Sequence, residues 1–196
     1  RGASVFDGAP KGVSVFEAPE RVIEPAGLVR ALRAACGGRA RVGRVTGVRL
    51  DGWEFAVVVN ETDEVFADSV VMAAGGGNAA LLEAYGLATE GVCQRRPLHQ
   101  VVGRRAPFEL NGHCLQAADK PALTVTTGEL DGERTWYLGG DLAETGVGLS
   151  EAEQCERARA AVERCLGWVD VSQVRWSSFE IDRAEGKTAD GKPSRT

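Results

Sequence analysis

Apolar and polar positions change period several times along this chain, and each change marks an element. Leu28, Val29, Leu32, Ala35 and Cys36 recur at helical spacing, with Pro25 at the first helical position and Gly37-Gly38 ending the pattern. Ahead of this helix, residues 1–23 hold two short β-like runs, 3–6 and 13–16, separated by the turn-rich Asp7-Gly8-Ala9-Pro10. Residues 41–50 and 53–60 read as strands, and Asp51-Gly52 between them suits a tight type I′ hairpin. A turn at Glu61-Thr62-Asp63 leads to Val65 and completes a three-strand meander.

The pattern then changes character. Val70, Val71 and Met72 form an apolar run without polar alternation, as a strand covered on both faces would. It enters Ala73-Ala74-Gly75-Gly76-Gly77-Asn78, where three glycines let backbone lie close to a ligand. Ala79, Ala80, Leu81, Leu82 and Ala84 predict a short helix closing near Gly86. Residues 98–104, 113–117, 122–127 and 134–138 follow as an antiparallel set, the last two joined through Asp131-Gly132. Ser150 and Glu153 carry a capping-box signature ahead of a helix whose Cys155, Ala158, Val162, Cys165 and Leu166 share one face. A final strand spans 174–181. The class is α+β: an antiparallel or mixed sheet with flanking helices, plus a segment made of a helix, the meander and one buried strand. The seam falls near residues 90–95, dividing 1–90 from 91–196.

Composition narrows the chemistry. Of 196 residues, 43% are apolar and 26% charged, which supports a packed core. A net charge of −5 argues against a nucleic-acid partner. No run suggests a membrane span or a leader, so the default location is cytoplasmic. Five cysteines, odd in number and never spaced C-x-x-C, suggest neither a disulfide framework nor a zinc site, and with two histidines no metal centre is expected. The thiols are expected to be reduced and mostly buried. Arg1 in place of Met, and the abrupt Lys192-Pro193-Ser194-Arg195-Thr196 end, read as a piece of something longer.

Arg95, Arg96 and His99 combine positive charge with a group that titrates near neutral pH. Arginine supplies a two-pronged anion clamp and histidine a base. The plainer alternative is solvated loop arginines and a histidine capping a strand, just as an ordinary strand-to-helix turn accounts for the glycines. Asp182-Arg183-Ala184-Glu185 reads equally as an ion pair near a strand end. His113, after Asn111-Gly112, is assigned no role, and the four tryptophans are expected to pack in core and sheet.

The order of helix, meander, Ala73-Ala74-Gly75 and Gln94-Arg95-Arg96-Pro97-Leu98-His99 resembles the D-amino-acid-oxidase-like superfamily of FAD-dependent oxidoreductases, which includes glycine and sarcosine oxidases and glycerol-3-phosphate dehydrogenases. The runs from Trp136 to Gly146 and from Ile181 to Glu185 look like its substrate-domain segments. The resemblance implies that Ala74, Gly75, Gly76 and Gly77 touch the adenosine part of FAD and that the backbone of Val45 meets adenine. It implies a substrate-side base at His99 and Arg183 facing the substrate pocket, while the anion clamp at Arg96 rests on the residue chemistry of its cluster. Arg195 is similar to an arginine that holds substrate carboxylate. One departure is large: the family's G-x-G-x-x-G turn for the pyrophosphate has no match here. The expectation is therefore the substrate-binding portion of an FAD-dependent oxidoreductase of small amines or hydroxy compounds, inactive alone and not retaining FAD. Its partners would be a small anionic or amine substrate and, through unpaired sheet edges, other copies of itself. The rival is a non-catalytic ligand-binding or protein-interaction module.

Overall fold

A computed structural model describes residues 5–89, 93–115 and 121–186, and these have the expected α+β composition. The chain separates into two compact units: Arg1–Leu28 with Pro97–Ile181, and Val29–Arg96 with Asp182–Thr196.

The first unit is built on a five-stranded sheet of order β5-β6-β7-β4-β8, from β4 (Cys93–Arg104), β5 (Gly112–Cys114), β6 (Leu123–Leu130), β7 (Glu133–Gly139) and β8 (Arg175–Gly186). Residues 93–96 of β4 and 182–186 of β8 fall in the second unit. β6 and β7 pair antiparallel with Leu130 opposite Glu133, and Asp131 and Gly132 between them have φ of 53° and 76°. Both central residues are left-handed, as a type I′ turn demands, so this part of the reading holds. The sheet carries a short helix α3 (Asp141–Glu144) and the longer α4 (Glu151–Cys165). Ser150 caps α4: its hydroxyl accepts from the Glu153 N–H while the Glu153 carboxylate accepts from the Ser150 N–H, the reciprocal box that the sequence indicated. Val101, Leu123, Trp136 and Leu138 from the sheet, with Ala158 and Val162 of α4, form the fully buried heart of the core. The Trp136 indole N–H donates to the Phe108 carbonyl at 3.0 Å, and the two rings meet edge to face.

The second unit contains most of helix α1 (Pro25–Cys36), the meander β1 (Val45–Asp51), β2 (Glu54–Val59), β3 (Asp63–Ala67), and helix α2 (Asn78–Ala84), which packs on β1. Its buried apolar residues among those described are Val48 and Ala56, whereas Val29, Leu32, Leu50, Trp53, Phe66 and Val71 are exposed.

Four expectations are corrected. Residues 70–72 are not a buried strand: 69–74 have no regular structure, Val71 is 88% exposed, and the β1-β2-β3 sheet takes up no fourth strand. Residues 13–16 are likewise irregular and exposed, and residues 5–8 form a 3₁₀ turn instead of a strand; residues 3–4 lie outside the described part. The β1–β2 turn slips by one residue: Asp51 pairs with Glu54, and only Gly52 (φ 63°) of the Gly52-Trp53 loop is left-handed. That sign pattern belongs to type II′, which needs glycine only at its first central position. The strand expected at 113–117 is Gly112–Cys114, with 116–117 outside the described residues.

Candidate functional site

Within the second unit, strand alternation sorts a charged cluster onto two faces. Gln94 and Arg96 on β4, and Arg183 and Glu185 on β8, are each two residues apart and so share a face. There Glu185 is the hub: it accepts from Gln94 Nε2 and Arg96 at 3.1 Å each, and its second oxygen takes Arg183 at 3.1 Å. Its side chain is only 16% exposed, so these contacts replace most of its water. Arg183 Nε is buried without a partner. On the other face Arg95 bridges the Asp182 carboxylate (3.1 Å) and the Gly76 carbonyl (3.2 Å). Three stretches singled out in the sequence thus converge: the glycine turn, the arginine pair and Asp182-Arg183-Ala184-Glu185.

The glycine turn is a 3₁₀ turn, Gly75–Gly77, opening α2. It is braced internally, the Ala74 N–H donating to Asn78 Oδ1 at 2.7 Å and the Gly77 N–H to the Ala74 carbonyl at 3.0 Å. Gly75 has φ 54°, and a Cβ placed there would meet nothing within 4 Å, so this side is open. Gly76 is closed by the Arg95 guanidinium, 3.3 Å from where a Cβ would stand. The strict G-x-G-x-x-G pattern has no match, but Gly75, Gly77 and Ala80 satisfy the relaxed G-x-G-x-x-A spacing, contrary to the expectation that this turn lacks it. The missing preceding strand removes the context that would make this spacing a pyrophosphate turn. Val45 begins β1 opposite Val59, at a register shift, and is 39% exposed.

His99 belongs to the first unit and is buried, 3% exposed. Nδ1 lies 2.9 Å from the Gly146 carbonyl and Nε2 2.8 Å from Ser178 Oγ. A carbonyl only accepts, so in the neutral ring Nδ1 carries the hydrogen and Nε2 accepts from the Ser178 hydroxyl. Ser178 also contacts the Cys155 thiol, whose pKa burial raises despite that contact. Behind the histidine, the fully buried Gln154 of α4 donates from Nε2 to the His99 and Leu142 carbonyls at 2.8 and 3.0 Å. Ser178, Gln154 and Gly146 were not anticipated; their partners are far away in sequence, and no spacing pattern announces them. A hollow of about 230 Å³ in this unit, against Arg157, Arg164 and Asp141, takes in none of the residues chosen from the sequence. Arg195 lies outside the described residues. Among the described residues no group of three or more His, Cys, Asp or Glu side chains could hold a metal, and no helix is long and apolar enough to cross a membrane.

No family model matches the chain. It is 40% identical over 174 residues to the probable FAD-dependent oxidoreductase PA4991 of Pseudomonas aeruginosa, an alignment taking in 87% of this chain and 42% of that protein. The crystal structure of that FAD-dependent oxidoreductase superposes with a TM-score of 0.72, over 86% of this chain and 45% of the other. The two share their fold across most of this chain, which spans less than half the length of its relative. BexE, studied for oxidation during BE-7585A biosynthesis, aligns with a TM-score of 0.39 at 21% identity over 83% of this chain and 33% of its own, too low for a shared fold to be argued.

Proposed function

We propose that this chain is the substrate-binding portion of an FAD-dependent oxidoreductase of the D-amino-acid-oxidase-like type, acting on a small amine or hydroxy compound. The observation that carries the reading is the 40% identity, with a TM-score of 0.72, to an FAD-dependent oxidoreductase. FAD, when bound, supplies the acceptor for a hydride lost from a substrate C–H. The open side of Gly75, with Ala74 and Gly77 beside it and the half-exposed Val45 on β1, suits close approach of the flat adenosine part. Gly76 contributes through its carbonyl, which fixes Arg95.

Arg96 and Arg183 both engage the Glu185 carboxylate, which brings two guanidinium forks to one place. A substrate carboxylate or phosphate docks by sharing the forks that Glu185 now engages, Arg183 being the more exposed at 40%. His99 acts within its own unit as a proton acceptor reached through the Ser178 hydroxyl: Ser178 takes a proton at Oγ as its own passes to Nε2, and the Gly146 carbonyl holds Nδ1–H in place.

The test is to express the intact reading frame of which these 196 residues are a portion, and not the 196 residues alone, and to add amino acids, N-methylated amino acids and hydroxy acids without oxygen. Bleaching of a bound flavin by one class is expected. A flavin that no amine or hydroxy compound bleaches overturns the substrate class, and a product without flavin overturns the whole assignment. A second reading, an interaction module, draws support from the exposed Val29, Leu32, Trp53, Phe66 and Val71 of the second unit. Concentration-dependent sedimentation of the 196-residue chain would favour it, and a clean monomer would count against it.

A further inference from the structure

Two of the five cysteines meet in the layer between sheet and helix of the first unit. β5 pairs with β6 so that Cys114 stands opposite Leu123. Directly opposed residues of an antiparallel pair present their side chains to the same face, and Leu123 is fully buried in the core. On α4, Ala158, Ala161 and Val162 form the inner face, and Cys165 follows the last two by four and three residues, which puts it on that face as well. Both cysteines pack against the core cluster, and both keep some exposure to solvent. Their thiols are hydrogen-bonded to one another.

We propose that Cys114 and Cys165 form a reversible thiol–disulfide site, closed by exchange with a small disulfide such as oxidised glutathione. The two sulfurs have unequal characters. Cys165 is lowered to about 7, first by the hydrogen bond from Cys114 and then by the positive charge of Arg164, against the opposing effect of burial. Cys114 is raised by the same bond and by burial, so it keeps its proton. A thiol with a pKa near ambient pH is the better attacking partner.

Cys165, having released its proton to solvent, attacks one sulfur of oxidised glutathione; the S–S bond breaks and glutathione thiolate leaves. Cys114 then gives up its proton and attacks the Cys165 sulfur, expelling the second glutathione thiolate. Two protein thiols are oxidised to one disulfide, and one oxidised glutathione is reduced to two glutathiones, which take up the two protons. The sulfurs must close from hydrogen-bonding distance to about 2.05 Å, a change that side-chain rotation at a strand end and a helix end can supply. The product ties the edge strand β5 to α4.

The reduced chain is incubated with oxidised glutathione, quenched in acid, and examined by intact mass and peptide mapping. The expected map of the unaltered chain joins the Cys114 and Cys165 peptides, and a dithiol reductant separates them again. With Cys36, Cys93 and Cys155 replaced by serine, both remaining thiols disappear and the mass falls by two hydrogens. In that same serine background, Cys114→Ser halts at one glutathionyl group on Cys165. A lasting mixed disulfide on Cys165 in the unaltered chain, linkage between a different pair, or no loss of these thiols overturns the proposal. Should the triple-serine variant fail to fold, the map of the unaltered chain decides.

Discussion

Replacing Gln154 by leucine removes a single amide that ties helix α4 to two other elements. Its Nε2 satisfies the carbonyls of His99 on β4 and Leu142 on α3, and the side chain has no exposed surface. Leucine fills nearly the same volume, so the cavity contribution is small, but both carbonyls lose their donor. An unsatisfied buried group costs about 1–3 kcal/mol, and two such losses are partly offset by the apolar burial of leucine, which leaves a net cost of about 2–4 kcal/mol. With an m-value of about 2 kcal/mol/M in urea, the midpoint falls by about 1–2 M at unchanged m. Gln154→Glu provides the discriminating control. Full burial and the two facing carbonyls would raise the folded-state pKa of the introduced carboxyl above the unfolded value of about 4.3, against the opposing pull of the Arg157 guanidinium, which donates to Gln154 Oε1 at 3.2 Å. Its stability contribution would then be present below that pH and lost as pH rises through the folded value. Urea melts at pH 5 and pH 8 should therefore show Gln154→Glu weakening at the higher pH, while Gln154→Leu changes by the same amount at both. A leucine variant within about 0.5 kcal/mol of the parent, well inside ordinary surface-substitution scatter, would refute the reasoning.

Gly146→Ala would drive a Cβ into the Gln154 amide, and should destabilise the parent by more than it does a Gln154→Ala background, a non-additivity read from a denaturation double-mutant cycle. Ser150→Ala removes the α4 cap and should cost about 1 kcal/mol in the same melts. Hydrogen bonds from the Ser150 side chain and backbone hold the Glu153 carboxyl below its ordinary pKa. Its contribution is therefore present above the unfolded pKa and fades as pH falls through the folded one, so the Ser150→Ala loss should shrink in acid. Glu185→Gln removes the carboxylate that competes for the exposed Arg183 fork and should strengthen binding of a small carboxylate by calorimetry; unchanged or weaker binding would argue against the anion-docking role. The purified 196-residue chain should be colourless, and a stoichiometric flavin spectrum would contradict the expectation that it lacks the main cofactor contacts.

Much of the local structure was legible along the chain because short-range physics decides it. The period of Leu28, Val29 and Leu32, the Pro25 start, the Ser150–Glu153 box and the Asp131-Gly132 turn each depend on neighbours within a few residues, and each is present in the structure. Val70-Val71-Met72 misled for the opposite reason. An apolar run becomes a buried strand only where a sheet takes it up, and the meander ends at β3 without doing so. The arginines and glycines of the candidate site could be picked out by residue type, yet their grouping around Glu185 and Gly76 follows from β4 and β8 lying side by side.

By itself, then, the sequence determined the α+β class, the boundaries of α1 and the start of α4, and one hairpin, since backbone preference and hydrophobic period are properties of contiguous residues. Only the tertiary structure decided that both His99 nitrogens are engaged, that Gln154 is a core residue, and that Cys114 and Cys165 touch. Those contacts join residues dozens of positions apart. A polar side chain acquires its role from the partner that desolvation leaves it with, and the packing of α4 on the sheet is what selects that partner.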